Sequence, residues 1–217
     1  TGTKTAGVIN AGTVSVPDNW SLNYFYSHKN GTLSGWTQTN LTITSAGKLT
    51  HYINDSTDTY GLNLTLYSLT VDSGGEIDVS EVGYASQQGT GKGKVITGGY
   101  GDGGGYGGEG GRNDTDMTRS NPYGDYSNPT ELGSGGAYSG GGGKALLTIT
   151  GTATINGSLL ANGQSANSGG SGGSINLSAA TITGGGTITA NGGSGGTIYS
   201  GGGGGGRIRL ASTANTF

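Results

Sequence analysis

Gly173-Ser174-Ile175-Asn176-Leu177-Ser178-Ala179 returns 33 residues later as Gly206-Arg207-Ile208-Arg209-Leu210-Ala211-Ser212, and a looser copy, Gly143-Lys144-Ala145-Leu146-Leu147, precedes both. Each segment alternates an aliphatic residue with a polar one. In an extended chain a period of two puts Ile175 and Leu177 on one face and Asn176 on the other. Such a segment buries only two or three small side chains. Alone it cannot offset an ordering entropy of about 1–2 kcal/mol per residue. Copies that stack share one apolar core and one backbone ladder spaced about 4.8 Å apart.

A second pattern agrees. Ile43 and Leu49, Val71 and Ile77, Ile155 and Leu159, and Ile182 and Ile188 form aliphatic pairs with glycine between them, in the segments ITSAGKL, VDSGGEI, INGSL and ITGGGTI. Similar segments return roughly every 30 residues, the range of stacked-repeat folds. The expected fold is all-β: a single-domain parallel β-helix, or solenoid, with glycine-rich and partly polyglycine-II-like loops. A β-sandwich is the competing fold, but its hairpins favour connections of about two to five residues, and Gly91–Gly143 and Ser194–Gly206 are longer. Helix is excluded by the lack of 3.6-residue periodicity and by glycine, which costs about 1 kcal/mol per helical position.

Composition sets the class. Hydrophobic residues make up 30% of the 217 positions, charged residues 11%, and glycine fills 51. Glycine without a strict three-residue period is not collagen, and the alternating Leu41-Thr42-Ile43-Thr44 and Thr181-Ile182-Thr183 oppose a disordered chain. A net charge of -3 gives no basic field for nucleic acid. Cysteine is absent, so disulfides and thiolate chemistry are too. No apolar run approaches the roughly 20 residues of a membrane helix. Opening at Thr1 without methionine, the chain reads as a processed product or a fragment.

Glycine is unevenly spread, with 11 of 51 in residues 1–90 and 40 in residues 91–217. The whole of residues 1–217 is read as one domain because the same strand motif stands on both sides of a Gly/Tyr-rich insertion, 91–143. Residues 1–17 are read as an N-terminal arm or donor strand. Gly140–Gly143 and Gly201–Gly206 are expected to extend side by side, because residues without a Cβ let backbones approach.

The series Leu69-Thr-Val-Asp-Ser-Gly-Gly-Glu-Ile-Asp-Val79, the Tyr/Gly insertion, Leu132-Gly-Ser-Gly-Gly136, Gly-Gly-Ser-Ile-Asn-Leu177 and Gly-Gly-Gly-Arg-Ile-Arg-Leu210 resembles glycine-rich repeat regions of cell-surface and adhesin-like parallel β-helix proteins. The resemblance covers residues 60–212. It implies extracellular display, a β-helical stack and no known chemistry. In composition alone, the glycine runs are similar to polyglycine-II phage tail-tip adhesins.

Candidate sites follow from residue type. Asn-X-Ser/Thr sequons stand at Asn19, Asn30, Asn40, Asn54, Asn63, Asn113, Asn156 and Asn176, where composition alone would give about four. They are candidate glycan acceptors, and Asn63 and Asn176, placed between inward aliphatics, are expected to face solvent. Tyr100, Tyr106, Tyr123, Tyr126 and Tyr138 are candidate contact aromatics, with the competing expectation that their rings cover the glycine layers. Asp102, Glu109, Asp114 and Asp116 do not reproduce the calcium nonapeptide and read as solvated loop charges. His28 and His51 fit no metal or triad pattern and read as surface residues. Asp72, Glu76, Asp78 and Glu81 read as an outward charged face, so no catalytic residue, metal or cofactor is assigned. Thr-X-Thr pairs at 42/44, 148/150, 181/183 and 187/189 suggest an ice-binding ladder, but their interrupted spacing is better explained by strand propensity.

Ala6, Val8, Val14 and Val16 share one strand parity and are the candidate assembly residues. An uncapped β-helix exposes unpaired backbone at its ends and invites head-to-tail pairing. The resulting expectation is a non-enzymatic structural subunit of an extracellular, glycosylated surface fibre, assembled from copies of itself by stacking or strand exchange, with no nucleic acid and no membrane span. The alternative is an adhesin or carbohydrate-binding module of a larger surface protein.

Overall fold

The computed structural model describes residues 12–16, 39–45, 47–96, 99–112, 120–196 and 199–217. In chain order its strands are β1 (Gly12–Val16), β2 (Thr39–Ile43), β3 (Lys48–Leu49), β4 (Leu62–Leu66), β5 (Ser68–Val71), β6 (Glu76–Asp78), β7 (Val95–Ile96), β8 (Tyr100–Gly101), β9 (Lys144–Ile155), β10 (Ser158–Leu160), β11 (Ser174–Thr183), β12 (Thr187–Thr189) and β13 (Arg207–Thr216). No helix occurs among the described residues. A seven-stranded sheet runs β1-β2-β5-β9-β11-β13, with β4 also on β9. A four-stranded sheet runs β12-β10-β6-β3, and β7 and β8 form a separate pair. Every pairing in the two larger sheets is parallel; only β7 with β8 is antiparallel.

The alternation predicted from sequence is what the strands bury. Leu62, Leu64 and Leu66 of β4 are buried with Asn63 and Thr65 between them, and Ile175, Leu177 and Ala179 of β11 repeat the pattern. Parallel register stacks these residues into columns: Leu64–Leu147–Leu177–Leu210, Leu41–Leu69–Ala153–Ile182 and Ile43–Val71–Ile155 in the larger sheet, and Leu49–Ile77–Leu159–Ile188 in the smaller. All but Leu210 and Ile188 belong to one buried cluster, and those two pack against it. At about 25 cal/mol per Å², this shared burial offsets the ordering entropy that no single segment could. The turn from β5 to β6, Asp72-Ser73-Gly74-Gly75, takes Gly74 to φ 86°. Gly75 N donates to Asp72 O at 2.8 Å, and a Cβ there would stand 2.7 Å from Ile43 O.

The expected solenoid needs correction. The strands are parallel, but they lie in separate sheets that do not close into a coil of regular rungs. Two physical causes are visible. About forty residues separate β8 from β9 in the chain, with no strand among the described ones, and β9 is long enough to take two partners, β4 and β5, on one edge. β9 is also out of step with its neighbours. Between Ile149 and Ala153 it holds three residues, Thr150, Gly151 and Thr152, where β4 and β5 hold two between Leu66 and Leu69, and β11 two between Ala179 and Ile182. The surplus forms a bulge in which Gly151 N donates to Tyr67 O at 2.8 Å.

The described residues of the insertion and the later glycine runs form a third layer. Gly201, Gly203, Gly204 and Gly206 donate to Gly101, Gly193, Gly104 and Ala190, while Gly201, Gly202, Gly204 and Gly205 accept from Gly169, Gly111, Gly172 and Gly107, at 2.7–3.0 Å. One extended segment is thus bonded to four others, in more directions than a sheet allows. Buried backbone needs such partners, and only glycine permits this spacing. A Cβ on Gly203 would overlap the Gly170 carbonyl.

β1 pairs with β2 of its own chain, so Val14 and Val16 lie in the terminal strand of this chain's own sheet; Ala6 and Val8 lie outside the described residues.

Candidate functional site

His51, expected at the surface, is buried at 2% exposure. Its Nδ1 donates to Tyr52 O at 2.8 Å, and its Nε2 accepts from Lys144 N at 3.2 Å. That pairing fixes the neutral tautomer protonated on Nδ1. Burial lowers its pKa from 6.5 to about 4, against the Tyr52 bond that raises it and with the Lys144 charge that lowers it further. The Lys144 ammonium pairs with Asp58 Oδ2 at 2.6 Å. A shallow cleft of about 200 Å³ lies over this pair, lined also by Asn63 and Glu131. Asn54 nearby is equally enclosed, donating to Tyr60 O and Val82 O and accepting from the Thr59 and Tyr60 amides at 2.7–3.1 Å. Fully bonded inside the fold, His51 and Asn54 hold the junction of β3, β4 and β9 together.

The insertion tyrosines divide into two sets. Tyr106 is fully buried, bonds Ser174 Oγ at 2.7 Å and packs 4.9 Å from the ring of Tyr123. Arg207 stacks 5.4 Å over Tyr106 and donates to Tyr123 O at 2.9 Å. Tyr123 donates to Leu132 O and accepts from Ser134 at 2.9 Å, and burial pushes its hydroxyl pKa up. These two rings supply bulk beside glycine. Tyr126 and Tyr138 are exposed, at 82% and 37%, and partly exposed Tyr100 packs on Tyr199 at 5.1 Å.

The sequons also sort by position. Asn156 is exposed, and Asn40, Asn63 and Asn176 are partly exposed on the outer face of the larger sheet. Asn176 is bonded to Asn128 and Arg209. Asn54 is withdrawn from solvent, whereas Asn19, Asn30 and Asn113 lie outside the described residues, as do His28, Asp114 and Asp116. Asp102, expected in solvent, is buried at 2%, and Glu109 is exposed. Glu76 and Asp78 face outward on either side of buried Ile77, and Asp78 pairs there with Lys48. No group of three His, Cys, Asp or Glu among the described residues is arranged to hold a metal.

Among the described residues, the β13 end of the larger sheet has no covering strand. Ile208 and Leu210 of β13 stand in register with buried Ile175 and Leu177, yet Ile208 is 44% exposed and Leu210 partly so. Among the described residues no strand pairs with the outer edge of β13. Arg207–Leu210 is recognisable in the sequence as a repeat, but nothing in its residues marks it as the one that no described strand covers. Set against known proteins, the chain matches no protein-family model, no curated protein and no solved structure.

Proposed function

We propose that the chain is a non-enzymatic structural subunit of an extracellular surface fibre, lengthening as a second copy adds parallel strands to the outer edge of β13. The observation that carries this reading is the pair Ile208 and Leu210, which prolong two buried columns to an edge that no described strand covers. Exposed apolar residues beside unpaired backbone favour another strand. β1, terminal strand at the opposite end of the same sheet, runs parallel to the rest, so a neighbour's β1 laid on β13 preserves strand direction. A head-to-tail contact of this kind gives an open filament when its rotation does not close. Glycans on exposed Asn156 would sit on a turn between the sheets, clear of that edge.

Electron microscopy of the concentrated chain tests the reading. Filaments with a regular axial repeat are expected, with loss of filaments but an unchanged melting transition in Ile208→Lys/Leu210→Lys. A wild-type chain that stays monomeric at every concentration overturns it. The adhesin alternative rests on Tyr126, a large ring left 82% exposed beside glycine-rich backbone. Retention of that monomer on a glycan array, lost in Tyr126→Ala, is its signature.

A further inference from the structure

The outer face of the seven-stranded sheet carries an array that the sequence spacing concealed. Parallel register aligns Thr42, Thr70, Thr154, Thr183 and Thr216 in one column; beside it Asn40 pairs with Ser68, and Thr152 with Thr181 and Ala214, the two groups meeting where Ser68 and Thr152 each precede the Leu69–Ala153 pair. The inward residues between the columns, Leu41, Leu69, Ala153 and Ile182, are buried, so the array points outward, and none of its members is buried. Nine of these ten positions are Thr, Ser or Asn, and none is charged or aromatic. Ser68 donates to Asn40 Oδ1 at 2.6 Å and Thr216 to Thr183 Oγ1 at 3.0 Å, so the side chains are tied along the columns.

The pairs that align are Thr152/Thr154 and Thr181/Thr183, not Thr148/Thr150 and Thr181/Thr183. The surplus residue at Gly151 shifts the second half of β9, making spacing that looks irregular in sequence regular in space. Strands lie about 4.8 Å apart and alternate residues about 6.6 Å apart along a strand. The result is a two-dimensional lattice of hydroxyl and methyl groups, five strands or roughly 19 Å deep.

We propose that this face binds ice. A partner that matches it must be uncharged, repeat in two directions and accept or donate hydrogen bonds at nine of the ten nodes. Protein partners are anchored by aromatic and Arg side chains in pockets, and the array offers neither. Crystalline polysaccharide is gripped by flat aromatic rings, which are absent from the array. Hexagonal ice meets all three conditions on its prism face, whose oxygen repeats are close to the strand spacing in one direction and to the i, i+2 spacing in the other. Ordered methyl and hydroxyl groups template the outermost water layer, and lack of charge keeps that layer ice-like. The face lies along the side of the sheet, away from the edge of β13, so the inference is independent of fibre growth.

The chain made in a host without N-glycosylation, leaving Asn40 bare, is tested by partition into a growing ice hemisphere and by thermal hysteresis. Expected are enrichment in ice and faceted crystals. Thr154→Lys and Thr183→Lys are each expected to reduce hysteresis at least tenfold with an unchanged melting transition, while Thr187→Lys, exposed on the other sheet, leaves it intact. Exclusion of the wild type from ice overturns the proposal, as does equal behaviour of Thr154→Lys and Thr187→Lys. Retention on crystalline cellulose or chitin without partition into ice overturns it as well and assigns the array to polysaccharide.

Discussion

Two alanine substitutions in one glycine run isolate what the third layer requires. A Cβ on Gly203 would overlap the Gly170 carbonyl and stand 2.9 Å from Ser171 N, all backbone. Gly170 O accepts from Gly193 N, and Gly193 O accepts from Gly203 N, each at 2.8 Å, so the chain shift that admits a methyl strains both bonds. Overpacking costs about 1–3 kcal/mol and each hydrogen bond about 0.5–1.5 kcal/mol, giving about 4 kcal/mol for Gly203→Ala. For a chain of this size that lowers the melting temperature by about 10 °C. Gly205, two residues on, has open space where its Cβ would stand, with no atom within 4 Å, and its φ is not positive. Gly205→Ala is expected to be neutral or to stabilise by about 0.4–1 kcal/mol, by restricting the unfolded chain. Thermal and guanidinium unfolding of both variants measure the difference. Equal stabilities would refute the claim that packed backbone, rather than turn flexibility, is why glycine occupies the run.

The remaining expectations concern buried polar groups. Because the folded pKa of His51 lies near 4 and the unfolded value near 6.5, the unfolded chain binds more protons between them, and stability falls as pH drops through that window. Chemical denaturation is expected to show a loss of about 2–3 kcal/mol from pH 7.5 to 4.5, absent in His51→Gln. Asp78 adds to acid sensitivity at still lower pH: burial raises its pKa, but its bonds from Lys48 and Ser80 outweigh that and hold it below the usual value. Asn54→Ala strands the acceptors and donors it satisfies and is expected to cost about 2–4 kcal/mol in unfolding. Peptide mass analysis of chain from a glycosylating host is expected to find Asn156 modified and Asn54 bare.

Alternation made the strands legible. The pairs Ile43/Leu49, Val71/Ile77 and Ile155/Leu159 each place one member in the larger sheet and one in the smaller, as stacked copies of one motif must. The fourth pair slips, because Ile182 joins the column of Ala153 rather than that of Ile155. A bulge leaves no mark in composition, so neither this slip nor the alignment of Thr152 with Thr181 could be read from spacing. Glycine was the other obstacle. Register is written in side chains, and Gly140–Gly143 has none, so the partners of those runs were invisible and the insertion looked like a loop. The burial of His51 depends on the amide of Lys144, 93 residues away. A lone histidine carries no local signal of such a contact, and the same is true of Asp102 within its glycine-rich surroundings.

The bulge in β9 gives the strand slack. Removing Gly151 would make β9 equal in length to β4–β5 on one side and to β11 on the other, keeping Ile149, Ala153 and Ile155 inward. Losing one residue from β11 between the same column positions would instead turn half a strand inside out. Between these neighbouring strands, tolerance of length change therefore falls to β9 and not to β11, and a lineage of such chains could gain or shed that residue without disturbing either the core or the outer face.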